Sequence, residues 1–446
     1  MNLLRRPQGM NAFLVLQAGQ FLSITGTGMA RFALTLFAWE QTREATTLSL
    51  MAFFGFLPII ILSPIAGALV DRWNKKLTMA MSDLGAACAS VFIFTMATTG
   101  QLEIWHLYLA VAVAGAFETF QFPAYSSAMS LMLKKDDYGR AAAIEGVFGQ
   151  GAGIIAPILA GAIFGIVGLN GILFIDMATF SFAFAALLFI IVPNPPPSDK
   201  PEQRNSLLQD SVFGFRYIWG NKSLLGLQLI FFCGNFLFSI AATIMPAMIL
   251  ARTNSDEASL GFVNGAFGLG AVIGGLLMAW KGGPKPRIYG VVGGWVVSGI
   301  MNCILFGLVN GVVLWALVGG IGLVSLSFIN GSNQAIWMSK VPPRLQGRVF
   351  STRRLIAQVS SPIAMFIAGP LADCVFEPAM QPNGALAGAL GGIFGTGAGA
   401  GMAVMTTFTG ILLVVSVLGI FAIPAVRNVE NLVEDHQESA ENLVAA

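Results

Sequence analysis

The chain has 446 residues, 56% of them hydrophobic and only 10% charged, with a mean hydropathy of +0.76. A soluble domain carries about 25% Asp, Glu, Lys and Arg, so the polar surface that would hold a chain of this size in water is missing and the sequence is that of a membrane protein. A formal charge of +2, with no basic run interleaved with aromatic residues, speaks against a nucleic-acid partner.

A bilayer core about 30 Å thick needs about 20 apolar residues per helix. Dividing the chain at Pro, Gly and charge clusters gives twelve such runs: 11–39, 46–70, 76–98, 104–132, 140–167, 171–192, 223–251, 258–280, 288–309, 312–339, 348–374 and 399–425. The expected fold is therefore all-α, a polytopic membrane protein of twelve transmembrane helices in two pseudo-symmetric six-helix bundles. The first run follows Arg5 and Arg6 as the apolar stretch of a signal peptide would, but it is too long for one and others follow it, so it reads as an uncleaved first span. Cys88, Cys233, Cys303 and Cys374 form no CxxC pair, and the first three fall within apolar runs, where they read as small hydrophobes. With the N-terminus placed in the cytoplasm, all of the 24 Lys and Arg residues except Arg31, Arg43 and Arg252 fall on the inner side. This asymmetry predicts cytoplasmic N- and C-termini.

Between spans six and seven the composition changes abruptly to Pro193, Pro195, Pro196 and Pro197, then Asp199, Lys200, Glu202 and Arg204. The chain thus divides into a six-helix bundle over 1–192, a cytoplasmic linker over 193–222, a second six-helix bundle over 223–427 and an acidic tail over 428–446. Within the linker, Leu207, Leu208, Val212, Phe215 and Trp219 recur at roughly helical spacing, which suits either a short helix on the membrane surface or an ordinary juxtamembrane connector. The tail from Glu430 onward is expected to be disordered. Of the Gly- and Ala-rich segment from Phe376 to Gly401 two readings stand, a cover over the outer mouth and a loose loop, the second favoured. The halves echo each other at an offset of 208 residues: Gly139 and Arg140 match Gly347 and Arg348, Gly161 matches Gly369 and Phe120 matches Phe328. Parallel repeats of this kind imply two bundles with a site between them near the midplane.

The loop after span two reads Gly67, Ala68, Leu69, Val70, Asp71, Arg72, Trp73, Asn74, Lys75, Lys76. It resembles the signature loop of the major facilitator superfamily, in which a glycine is followed four residues later by Asp-Arg and then a basic pair. In span five, Gly153, Pro157 and Gly161 are similar to the glycine-proline motif of that superfamily's antiporters, with Ala156 where a glycine is usual. Asp71-Arg72 with Ser82-Asp83, the Phe122-Pro123-Ala124 run, Gly139-Arg140 and the stretch from Ile175 to Phe180 look like the macrolide-efflux and enterobactin-exporter branch. The resemblance implies that Asp71 holds an inner gate closed by meeting span eleven, whose dipole and Arg353 and Arg354 would attract a carboxylate. Arg72 would then be free to reach Asp83. Glu145 stands at the position equivalent to Arg353 and suggests either a second latch with Lys281 or Lys285 or a carboxylate snorkelling to the nearby surface.

Charges deeper in the spans matter more, since each costs about 2.5–3.5 kcal/mol at the bilayer centre. Glu118, near the middle of span four, is expected to exchange a proton for substrate. Asp176 and Arg31 both lie toward the outer third and are expected to neutralise each other as an ion pair. The fold implied by the resemblance lines its cavity from spans one, four, seven and ten. These supply Gln20, Ser23 and Thr27; Phe117, Glu118, Gln121 and Phe122; Asn235, Phe238 and Met245; and Phe328, Asn330, Asn333, Gln334 and Trp337. Aromatics and Met mixed with a few amides suit a large amphipathic organic ligand. The stripe Asn330, Asn333, Gln334 and Trp337 falls on one helical face.

The sequence contains no G-x-x-x-x-G-K-[ST] loop, no H-E-x-x-H and no G-x-S-x-G elbow. The expected function is therefore secondary active transport without a cofactor or metal: proton-coupled export of amphipathic compounds by a monomer whose partners are substrate, protons and membrane lipid. The alternatives are a lipid or lysolipid flipping transporter or an uptake permease of the same fold, and, further off, a membrane-embedded enzyme or sensor.

Overall fold

A computed structural model describes residues 9–192 and 207–432, and among these every regular element is helical. Six helices come first: α1 (Gly9–Thr42), α2 (Ala45–Arg72), α3 (Lys75–Thr98), α4 (Ile104–Met132), then Tyr138–Phe189, which Gly168 divides into α5 (138–167) and α6 (169–189). At Gly168 φ is 63° and ψ −172°, a conformation that a side chain essentially forbids, so the residue type dictates where the continuous apolar run breaks. A connector helix, Leu207–Gly220, leads into α7 (Lys222–Arg252), α8 (Glu257–Lys281), α9 (Ile288–Leu308), α10 (Val312–Lys340), α11 (Pro343–Leu371) and α12 (Ala400–Phe421). Among the described residues eleven continuous helices are long and apolar enough to cross a membrane, and the break at Gly168 makes one of them two crossings. The chain is a multi-pass membrane protein with the twelve spans that its apolar runs predict.

Local chemistry fixes several ends. The Asn74 side chain accepts from the Leu77 amide at 3.0 Å and starts α3 one residue after α2 and Trp73. Lys76 Nζ donates to the carbonyls of Leu188 (3.0 Å) and Ile190 (2.7 Å), a cation meeting the orphan carbonyls at the end of α6. Glu103 and His106 form a reciprocal cap at the start of α4, the Glu103 amide donating to His106 Nδ1 at 2.9 Å.

The described residues fall into two compact units, one made of 9–192 with Thr253–Gly265 and the other of 207–252 with 266–432. In the first unit α1 packs on α5 and α6 through small residues. A Cβ at Gly19 would lie 3.2 Å from the Ala183 backbone, and one at Gly26 would overlap the Thr179 side chain. Close backbone approach of this kind is how helices associate where lipid offers no hydrophobic driving force. The first turns of α8 cross α5 the same way: a Cβ at Gly161 would stand 2.7 Å from the Glu257 carbonyl, and one at Gly261 2.6 Å from the Pro157 carbonyl.

In the second unit α7 and α11 are joined by three regularly spaced polar contacts. Gln228 donates to the Arg353 carbonyl (3.0 Å), Asn235 to the Ala357 carbonyl (3.3 Å) and Ser239 to the Ser361 hydroxyl (3.1 Å). The connector helix lies against α11, with Gly214 on the Thr352 side chain and the Arg348 guanidinium over the Phe213 ring at 5.6 Å. Phe215 and Trp219 point away and are exposed. The linker residues 193–206 and the side chains of Leu207, Leu208 and Val212 lie outside the described residues.

The segment from Phe376 to Gly401 is not a loose loop. It contains the helix Ala387–Phe394, packs Leu386, Leu390 and Phe394 around Met380, Ala400 and Val404, and is pinned by Arg252, which donates to the Phe394 carbonyl at 2.7 Å. Glu377 accepts from the amides of Gly399 (3.2 Å) and Met402 (2.8 Å), capping α12, while Gly395, Gly397 and Gly399 take the positive φ values the turn demands. Nor does the acidic tail begin as free chain at Glu430. That carboxylate accepts from the Ile288 amide at 2.8 Å and caps α9, and its carbonyl accepts from Lys340 Nζ. Residues 433–446 lie outside the described part.

Candidate functional site

The polar side chains of the first unit are organised by α1. Gln17, Gln20, Thr27 and Arg31 fall along one side of this helix, and each meets a polar partner on α3, α4 or α6. Nearest the start of α1, the Tyr125 hydroxyl of α4 donates to Gln17 Oε1. One turn on, Asp83 of α3 accepts from Gln121 Nε2 of α4 at 2.8 Å and from Gln20 Nε2 at 3.5 Å, and the same Gln121 amide donates to Gln20 Oε1 at 3.2 Å. Seven residues further along both α1 and α3, Asp176 of α6 accepts from Thr27 Oγ1 at 3.1 Å and from Ser90 Oγ at 2.6 Å. Beyond it, Arg31 forms an ion pair with Glu118 of α4.

Arg31 therefore pairs with Glu118, whereas the sequence predicts an ion pair with Asp176. The reason is rotational. Asp176 is 4% exposed and faces the α1–α3 seam, where hydroxyls of Thr27 and Ser90 satisfy it, whereas Arg31 and Glu118 share an open face with side chains 55% and 47% exposed. Glu118 lies 14 residues from either end of α4, so this charge pair sits at mid-span. Asp83 accepts from two neutral amides and is 8% exposed, and the expected Arg72–Asp83 contact lies outside the described atoms. The side chains of Asp71 and Arg72, with Gly67 beside them, fall outside the described atoms.

The other residues singled out from the sequence divide into packed and presented ones. Phe117 fills the space above Gly85, where a Cβ would overlap its ring. Gln20, Ser23, Met245 and Asn333 are buried, and Trp337 is fully buried within the core of the second unit, so the α10 stripe is not a single lining face. Its exposed member is Asn330, and Gln334 is half-buried. Phe122, at 64%, is the most exposed aromatic of the set on α4. Asn235 binds α11, and Phe238 meets Trp295 edge-on. Phe328 is half-buried. Glu145 is half-buried on α5 without an ion pair among the described residues. Arg354 is exposed, while Arg353 donates to Gln334 Oε1 at 2.7 Å and stacks over Trp337 (5.4 Å) and Phe350 (5.0 Å). Gly153 has open space around it, whereas Pro157 and Gly161 form the α5 side of the crossing with α8.

Ser90, Tyr125 and Gln17 were not foreseen as partners. A signal was present for Ser90: it follows Asp83 by the same seven residues that separate Thr27 from Gln20. No group of three or more His, Cys, Asp or Glu among the described residues has metal-binding geometry.

The chain is similar to known transport proteins over most of its length. It is 24% identical over 364 residues to macrolide efflux protein A of Streptococcus pyogenes, covering 81% of this chain and 89% of that protein. It is also 24% identical to the multidrug efflux pump Tap of Mycolicibacterium fortuitum, covering 83% and 90%. Among solved structures, the fold matches a bacterial homolog of the human lysosomal transporter Spinster in an inward-facing, unoccupied conformation, with a TM-score of 0.66 at 14% identity over 93% of this chain and 97% of that one. A bacterial homologue of the iron transporter ferroportin, inward-facing, gives 0.64 at 14% identity over 92% and 98%. The family model described as the Major Facilitator Superfamily matches residues 17–365. The chain is a transporter and not an enzyme, and it belongs to the Major Facilitator Superfamily.

Proposed function

We propose that this chain exports amphipathic organic compounds in exchange for protons, by alternating access, from the inner membrane of a bacterium with both termini in the cytoplasm. The Arg31–Glu118 pair supports this reading most strongly. Ionisable side chains at mid-membrane are costly, about 2.5–3.5 kcal/mol each on insertion scales, and a purely structural pair is best hidden between helices. This one stands on an open face of α1 and α4, half-exposed, with the large apolar Phe122 four residues further along α4. Such a face offers a charged group and an aromatic surface to the same solute, the combination an amphiphile needs. A proton arriving on the Glu118 carboxylate cancels its charge and dissolves the pair. Proton and substrate thereby compete for one group, and a potential of 100 mV adds about 2.3 kcal/mol for each charge moved. The efflux functions named for two relatives, macrolide and multidrug, agree with the substrate class.

The test is transport by the purified protein in proteoliposomes with an imposed pH gradient, offered a lipophilic cation, a macrolide, a siderophore and a fluorescent lysolipid. The proposal expects uphill movement of the macrolide or the cation that requires the gradient and disappears in Glu118→Gln. Movement of the lysolipid alone, or transport indifferent to the gradient, would overturn it.

A further inference from the structure

The Asp83 site holds a feature that the Arg31–Glu118 exchange does not use. Asp83 is buried in the membrane-spanning part of the first unit, and among the described atoms its two hydrogen-bond donors are both primary amides, Gln121 and Gln20. The Gln121 nitrogen is fully committed, one hydrogen to Asp83 Oδ1 at 2.8 Å and the other toward Gln20 Oε1 at 3.2 Å. Its carbonyl oxygen, by contrast, is buried and accepts from nothing. A buried acceptor without a donor costs about 1–3 kcal/mol, so an arrangement in which Gln121 Oε1 finds a donor competes with the observed one. One proton provides such a donor. If Asp83 Oδ1 carries it, a half-turn of the Gln121 amide brings Oε1 to accept from that hydroxyl, and the nitrogen swings to where the oxygen now lies.

We infer that Asp83 and Gln121 form a protonation-operated switch, in which a proton taken up from water by the Asp83 carboxylate reverses the donor and acceptor sense of the Gln121 amide. The inference rests on the proton-coupled reading above and adds a second protonatable group to it. Gln121 is the natural link, because it lies one turn from Glu118 on α4 and bridges α3 to α1 through its bonds to Asp83 and Gln20. In the ionised state the amide ties α1, α3 and α4 together. In the protonated state its bond to Gln20 is released, so the coupling between α1 and α4 beside the charge pair loosens.

Among the described residues, which do not include the Arg72 side chain, the ionisable groups around the site leave the role to Asp83. Glu118 and Tyr125 lie one turn to either side on α4, the first paired with Arg31 and the second with Gln17. Arg31, the charged group of α1 on this side, is engaged by Glu118. Glu145 of α5 lies near Tyr125, Asp176 of α6 is satisfied by hydroxyls one layer away, and Lys75 and Lys76 stand at the start of α3 on the carbonyls of Val70, Leu188 and Ile190.

Infrared difference spectroscopy on the full chain in lipid nanodiscs, comparing acidic with alkaline buffer and adding no substrate, tests the switch. A carboxylic-acid carbonyl band that appears on acidification is expected, accompanied by a shift in the glutamine side-chain band. The carboxyl band is lost in Asp83→Asn and moves in Gln121→Met, which removes the amide but keeps the volume. Should Asp83→Asn fail to fold, Gln121→Met carries the test alone. A band that persists in Asp83→Asn, or that Gln121→Met leaves unmoved, would overturn the inference. These readouts need neither substrate nor gradient, so failure of coupled transport with the spectra intact refutes the exporter reading and leaves the switch, while normal transport with unchanged spectra does the reverse.

Discussion

Removing Arg31 and Glu118 singly and together, as Arg31→Met, Glu118→Gln and the double variant, measures the coupling between two charges that the structure places on an open face at 55% and 47% exposure. The size of that coupling reports the medium around them. If the face is bathed in water, as a transport pathway must be during part of its cycle, the pair behaves like a solvated one and couples by about 0.2–1 kcal/mol. If the same side chains faced acyl chains or packed protein, two charges about 4 Å apart at an effective dielectric of 20 would couple by about 4 kcal/mol. Denaturation in mixed micelles with increasing SDS, read by circular dichroism, gives the four stabilities and hence the coupling energy. The expected result is a coupling of about 1 kcal/mol or less, with all four proteins folded and gradient-driven transport lost in Glu118→Gln. A coupling near 4 kcal/mol would make the pair a structural clasp and remove it from the transport cycle.

Three further outcomes follow from particular contacts. Glu377→Ala leaves the amides of Gly399 and Met402 without their cap and should lower stability by about 0.5–2 kcal/mol, whereas Glu377→Gln, which keeps a carbonyl acceptor, should lose less; denaturation midpoints compare the two. Gly168→Ala forces a side chain into a conformation essentially reserved for glycine and should cost about 1–3 kcal/mol, with little change if the chain can bend elsewhere. Trp337→Ala should behave as a core truncation, about 3–5 kcal/mol less stable, and a variant that kept its stability but lost substrate binding would return Trp337 to the lining of the pathway.

The sequence reveals what depends on the solvent and conceals what depends on rotation. Spans are legible because the bilayer demands long apolar runs, and the division between α5 and α6 is visible at Gly168 because an uninterrupted run of that length exceeds one crossing. The charged layer could likewise be foreseen, since Arg31, Glu118 and Asp176 stand out in apolar surroundings. Their pairing could not. Helices α1, α4 and α6 all carry their charge at compatible depths, and the partner of Arg31 is set by the rotation of α1, whose Gly19 and Gly26 pack closely on α6. The same limit hid the burial of Trp337, which shares a helical stripe with the exposed Asn330 but faces the core. The segment from Phe376 to Gly401 was obscured differently: its helix is only eight residues long, and its order comes from Arg252 and Glu377, far from it in the chain or at its edge.

Proton movement evoked by substrate tests the central claim most directly. In proteoliposomes carrying a trapped pH dye and a standing pH gradient, addition of a macrolide or lipophilic cation that the protein transports should discharge the gradient through the unaltered chain, and should leave it standing in Glu118→Gln under identical loading. A gradient untouched by substrate in the unaltered chain, or discharged equally by Glu118→Gln, would contradict exchange at this carboxylate.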